Sequence, residues 1–81
     1  MSRLSLTQIC QNLVLESTSM SAHEIAKAVK KPYSTLMREV NPYDAGAKLG
    51  AETLLEIMCA TGNIAPLEYM AKELGLKVIP A

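Results

Sequence analysis

The stretch Ser21–Asn41, SAHEIAKAVKKPYSTLMREVN, decides the fold. It reads as two short helices joined by a tight basic turn, an arrangement able to lay its second helix in the major groove of DNA. Ser21 and Glu24 stand three apart, the spacing at which each side chain satisfies a free backbone amide of the other, so a helix begins here. Ile25, Ala26 and Val29 then fall on one face, with Lys27, Lys30 and Lys31 towards the other face and the turn. Pro32 is excluded from a helix interior but suits a first turn, so the chain is expected to break at Lys30 and Lys31 and restart at Pro32. Helix-turn-helix turns often place Gly where the backbone goes left-handed. With lysine in both positions, either a lysine takes that conformation at a steric cost or the turn has another shape. In the second helix Leu36 and Val40 form the buried edge, leaving Tyr33, Ser34, Met37 and Arg38 to face a partner.

Three further helices can be drawn around this pair. The first runs from about Ser5 or Thr7 to Ser17, with Leu6, Ile9, Cys10, Leu13 and Val14 at helical spacing. Ser17, Thr18 and Ser19 end it, because short hydroxyl side chains compete for backbone hydrogen bonds. After the pair, NPYDAGAKLG reads as a loop, with Asn41 before Pro42 and two glycines. The fourth helix, from about Ala47 or Gly50 to Thr61, is apolar over more than one face and is expected to be the most enclosed. Gly62 and Asn63 give it a left-handed stop. A fifth, Ala65 to Leu74, has Pro66 near its start and Leu67, Met70, Ala71 and Leu74 as its inward stripe, with Gly75 closing it. The tail LKVIPA is too short for a sheet of its own; covering the core, making dimer contacts and fraying all remain open to it. The expectation is an all-α single domain over residues 1–81, with a core of about 5–75 and a short tail of 76–81.

Eighty-one residues bury only roughly 60% of their unfolded surface. With 49% hydrophobic residues and neither Trp nor Phe, the chain suits small helices and leaves apolar surface for self-association. No stretch reaches the roughly 18–20 apolar residues needed to span a bilayer. The start, MSRLSLTQIC, lacks the pattern of a signal peptide, so a soluble intracellular protein without membrane contact is expected. Cys10 and Cys59 are far apart and His23 is the single histidine, too few ligands for zinc, so two reduced, largely buried thiols are expected and no metal or cofactor. Net charge is zero, yet between Lys27 and Lys48 five cations (Lys27, Lys30, Lys31, Arg38, Lys48) stand against Glu39 and Asp44, five minus two, a local balance of plus three. That is what one basic face on a neutral domain produces, although an ordinary solvated helix surface accounts for the charges equally well.

From Lys31 to Asn63 the sequence KPYSTLMREVNPYDAGAKLGAETLLEIMCATGN resembles the phage CII-type regulatory proteins, and the likeness continues more weakly through PLEYMAKELG, Pro66 to Gly75. The run KPYSTLMREVNP carries most of it, joining a proline-initiated helix to a second proline loop. The resemblance implies a small five-helix lambda-repressor-like domain with a helix-turn-helix, acting in the bacterial cytoplasm on operator DNA at the choice between lysogeny and lytic growth. The partner it implies is double-stranded operator DNA; the apolar surplus and the short reach of one reading helix add further copies of the chain, as a homodimer or higher homo-oligomer, and RNA polymerase is another candidate.

On that pattern Tyr33, Ser34, Met37 and Arg38 are the base-reading candidates, and Lys27, Lys30, Lys31, Thr35 and Lys48 the phosphate-binding ones. Each has a plainer alternative. Arg38 either donates bidentately to guanine or pairs with Glu39 or another surface carboxylate. At least one of Ser34 and Thr35 is expected to cap its helix. Tyr33 either reaches DNA or pins the turn with its ring, and the lysines otherwise serve solubility. His23 has no nucleophile or metal cluster around it and is expected to be exposed or on a phosphate; Glu52 and Glu56, four apart, are expected to be a solvated face. No catalytic residue is assigned and no enzyme is expected. The competing reading is a helical protein–protein interaction module that leaves DNA alone.

Overall fold

The computed structural model describes residues 5–81; the first four residues of the expected domain lie outside the described residues. It consists of five helices: α1 (Leu6–Glu16), α2 (Ala22–Ala28), α3 (Tyr33–Glu39), α4 (Ala51–Thr61) and α5 (Ala65–Glu73). No strand occurs among the described residues.

The capping box of α2 is formed as expected: Glu24 N–H donates to Ser21 Oγ at 3.1 Å, and Ser21 N–H donates to Glu24 Oε1 at 2.8 Å. The hydrogen bond from the Ser21 backbone N–H, helped by the Ser21 hydroxyl, holds the Glu24 carboxyl below its ordinary range. The end of α2 answers the question posed by its turn. Lys30 takes φ 60°, its N–H donates to the Lys27 carbonyl at 3.1 Å, and Lys31 N–H donates to the Ala26 carbonyl at 3.0 Å. This is a complete Schellman closure with lysine in the place glycine normally fills. The same closure ends α5, where Gly75 (φ 75°) donates to Lys72 and Leu76 to Ala71. Gly62, at φ 71°, stops α4. Pro32 stands one place earlier than expected, at the N-cap of α3 rather than inside its first turn, and its carbonyl accepts the Leu36 N–H at 3.0 Å.

The core is one cluster fed by four helices: Cys10, Leu13 and Val14 of α1; Ile25, Ala26 and Val29 at α2; Leu36 and Val40 at α3; Leu54 and Ile57 of α4. Met70 of α5 packs against it. The expected buried edge of α3 is fully enclosed, with both Leu36 and Val40 at 0% exposure. Burial of Cys10 pushes its thiol up to about 11, since a thiolate there loses its water.

Three burial expectations are corrected. The fourth helix is not the enclosed one: it buries Thr53, Leu54 and Ile57 but exposes Leu55 and Cys59, which are four apart and so share its outer face. Cys59 is therefore an exposed thiol. In α5 the inward residues are Pro66, which is buried, and Met70 one turn later. Leu67 and Leu74, seven apart on another side, are exposed. The tail continues that apolar surface, with Leu76, Val78 and Ile79 exposed, so it does not cover the core.

Candidate nucleic-acid interface

The turn after α2 is short because its hydrogen bonds close within Ala26–Lys31, and it delivers α3 with one edge buried and the other free. Each residue advances a helix by about 100°. Arg38 therefore falls opposite the Leu36–Val40 edge and Ser34 falls beside it; both are exposed. Met37 lies only one step from Leu36 and three from Val40. It is half-buried and packs against the core, not on the free edge where the spacing of Tyr33, Ser34, Met37 and Arg38 had placed it.

Neither Ser34 nor Thr35 caps α3, which has no side-chain cap hydrogen bond. With Pro32 occupying the N-cap, both hydroxyls come too late in the chain to fold back on the first amides. Ser34 is exposed and Thr35 half-buried. Tyr33 is 39% exposed and lies flat on His23, ring centroids 3.7 Å apart and planes within 1°. The stack ties the first turn of α3 to the first turn of α2 and leaves Tyr33 a pinned ring with part of its surface open. His23 is exposed, as expected, but its visible contact is this ring.

The two acidic residues of the basic region are both engaged. Glu39 accepts the Lys31 ammonium on both carboxylate oxygens at 2.9 Å. Asp44 accepts Arg38 Nε on Oδ2 at 3.0 Å. The Arg38 guanidinium thus finds a carboxylate, though not that of Glu39, and remains 63% exposed. Pairing drives the two groups apart in the expected senses: Arg38 is held above its ordinary value by its bond to Asp44, and Asp44 below the usual carboxylate range by the same bond. Among the described residues Lys27, Lys30 and Lys48 make no ion pair, and all three are exposed. Lys48 borders the same cleft as Glu39, Asn41 and Asp44.

That loop holds what sequence reasoning missed. Asn41 Oδ1 accepts the Tyr43 N–H at 2.9 Å and the Asn41 carbonyl accepts the Asp44 N–H at 3.1 Å, a tight turn that carries Asp44 back to Arg38. It also leaves Tyr43 90% exposed at its tip. The Asn-Pro-Tyr-Asp order signals a turn, but a contact six residues back from a loop has no periodic signature. Glu52 and Glu56 are exposed on α4, as expected. Among the described residues no group of three or more His, Cys, Asp or Glu side chains converges on a metal position, and no helix is long and apolar enough to cross a membrane.

A family model described as phage regulatory protein CII (CP76) matches residues 5–81. No curated protein and no solved structure matches the chain.

Proposed function

The chain belongs to the phage regulatory protein CII family, and on that premise we propose that it is a sequence-specific, DNA-binding transcription regulator of phage or prophage origin that sets lysogenic against lytic gene expression. In this reading α2 and α3 form a helix-turn-helix of lambda-repressor-like type, and 1–81 is one DNA-binding domain working in the cytoplasm of a bacterial host, without catalysis. The observation that carries it is the free edge of α3. Ser34 and Arg38 stand exposed, and Lys27, Lys30 and Lys48, in the segments before and after α3, are exposed as well.

Arg38 is the principal base reader, with Ser34 and the open part of Tyr33 beside it; Met37, half-buried, reaches DNA only as an apolar flank. Lys27, Lys30, Lys48 and Thr35 hold phosphates. Lys31 joins them by exchanging Glu39 for a phosphate, since its ammonium is already satisfied in the free protein. One seven-residue helix reads few base pairs, so specificity requires at least two copies on half-sites about 34–36 Å apart or multiples of that. The outer surface of α5 and the tail suits such pairing. Leu74, Leu76 and Ile79 are each more than three-fifths exposed, and Glu68, Lys72 and Lys77 nearby carry both signs of charge, so a patch that meets itself can set unlike charges together. RNA polymerase is a further partner in this reading.

The test is selection of bound sequences from a random duplex pool, followed by binding of the selected duplex to the wild type and to Arg38→Ala. A repeated or palindromic consensus is expected, with Arg38→Ala weaker by about 1–3 kcal/mol and its helical circular dichroism intact. Equal binding by both proteins would count against the reading. Leu74→Glu should lower the mass measured by sedimentation; an unchanged mass removes this surface from self-association. The competing interaction-module reading draws on the same exposed leucines and is distinguished by salt: DNA binding falls steeply as salt rises, an apolar protein contact hardly at all.

A further inference from the structure

We infer that Asp44 is a positioning residue for base recognition, holding Arg38 by Nε so that the guanidinium's terminal nitrogens are presented, already ordered, to guanine. The inference rests on the reading that Arg38 contacts DNA and adds to it the residue that makes the contact selective.

An arginine has five N–H donors in a rigid fork. Asp44 takes the one on Nε, at 3.0 Å, and the four on the terminal nitrogens remain. Two of those suffice for O6 and N7 of a guanine edge in the major groove. Asp44 is itself fixed on every side. Its Oδ2 holds Arg38, its Oδ1 accepts the Gly46 N–H at 3.0 Å, its own N–H donates to the Asn41 carbonyl at 3.1 Å, and its carbonyl accepts the Ala47 N–H at 3.4 Å. The carboxylate is thus part of a closed turn, not a mobile surface acid that happens to lie near a cation. A long side chain held at Nε has part of its rotamer freedom restricted before DNA arrives, so less is lost on binding.

A carboxylate beside a surface that meets phosphates is otherwise a handicap, because it repels them. This gives the inference a sign. If Asp44 merely competed for Arg38, removing its charge would tighten binding to every duplex. If it positions the fork, removing its charge loosens binding to the selected duplex alone.

The experiment measures affinity for a duplex selected by the wild-type protein and for a scrambled duplex, using the full chain, Asp44→Asn, Arg38→Ala, Arg38→Lys and the Asp44→Asn, Arg38→Ala pair. Asp44→Asn is expected to lower the ratio of selected to scrambled binding about tenfold, within the range of one bidentate base contact, while scrambled binding holds or tightens. In the Arg38→Ala background Asp44→Asn should change the ratio no further. Arg38→Lys, which keeps the charge and the chance to pair with Asp44 but lacks the fork, should lose the ratio and retain the salt slope. Helical circular dichroism showing Asp44→Asn fully folded at the assay temperature, even where its melting point falls slightly with the loss of the Arg38 pair, separates positioning from folding. A ratio unaltered by Asp44→Asn, or tighter binding to the selected duplex, overturns the inference. A wild type that prefers no duplex overturns the premise instead and is seen in the control arm, before any variant is compared.

Discussion

Replacing Lys30 by glycine should make the fold more stable while making the protein a poorer DNA binder. Lys30 sits at φ 60°, where a side chain on an L-residue costs roughly 1–2 kcal/mol. Its amide and that of Lys31 close α2 on Lys27 and Ala26, so the conformation is enforced by the helix end. Glycine removes that cost but gains about 0.5–1 kcal/mol of freedom in the unfolded chain. The net gain is about 0.5–1 kcal/mol, or a rise of roughly 2–8 °C in Tm for a domain of this size. Alanine keeps a Cβ in the strained position, so Lys30→Ala should gain nothing. Both substitutions delete one cation from the proposed phosphate contacts and should make the slope of log affinity against log salt shallower by about 0.9. The assay is thermal and urea unfolding followed by circular dichroism, since the chain has no tryptophan to report, together with binding at several salt concentrations. A glycine variant no more stable than the alanine one would refute the strain argument. An unaltered slope in both would remove Lys30 from the phosphate set.

The remaining predictions concern the core, the thiols and acid. Ile57→Ala should cost about 2–5 kcal/mol, because the side chain is wholly enclosed, whereas Leu55→Ala, 58% exposed two residues earlier, should stay within about 0.5 kcal/mol; similar losses in chemical denaturation would contradict the burial of α4. At pH 8 iodoacetamide should modify Cys59 and spare Cys10 until the protein unfolds, since Cys59 is exposed while Cys10 is enclosed with its thiol raised to about 11; equal rates by mass spectrometry would exclude this packing. Glu24 and Asp44 have folded pKa values below their unfolded ones. Their contribution is therefore complete above the ordinary carboxylate range near 4 and lost as pH falls through the lower folded values. Unfolding titrations should show these carboxylates adding nothing to the pH dependence between pH 7 and 5 and weakening the fold below about 4, and a fold strengthened by acid would contradict the assignment.

The helix pair was legible in the sequence because its signals are local. The Ser21–Glu24 box, the break at Lys30 and Lys31, and the Leu36–Val40 edge each depend on residues within one or two turns, and each stands as the spacing predicts. The same holds for the glycine stops at Gly62 and Gly75. Where the reading failed, two faces carried similar side chains and only tertiary packing chose between them. Leucines lie on more than one side of α5, and the core keeps the expected Met70 but takes Pro66 rather than Leu67 and Leu74. The apolar run of α4 points Cys59 inward, and taking Leu36 and Val40 alone as the buried edge of α3 leaves Met37 outside, whereas the core reaches one step round the helix to take it in. At the candidate interface the exposure of Ser34 and Arg38 is readable from spacing, but the ion pairs are not. Lys31 to Glu39 and Arg38 to Asp44 form only after the turn and the loop bring those side chains back together, each across a helix end where periodicity no longer applies. The His23–Tyr33 stack, ten residues apart across two helix starts, was hidden for the same reason.

If the free edge of α3 reads DNA, the contact must show at its own residues. Backbone amide chemical shifts, followed while the selected duplex is titrated into the isotope-labelled protein, address it residue by residue. The account predicts the largest changes from Lys27 through Arg38 and at Tyr43, Asp44 and Lys48, with Leu55 and Cys59 on the outer face of α4 unmoved. Changes confined to that outer face, with Ser34 and Arg38 unmoved at saturation, would contradict it.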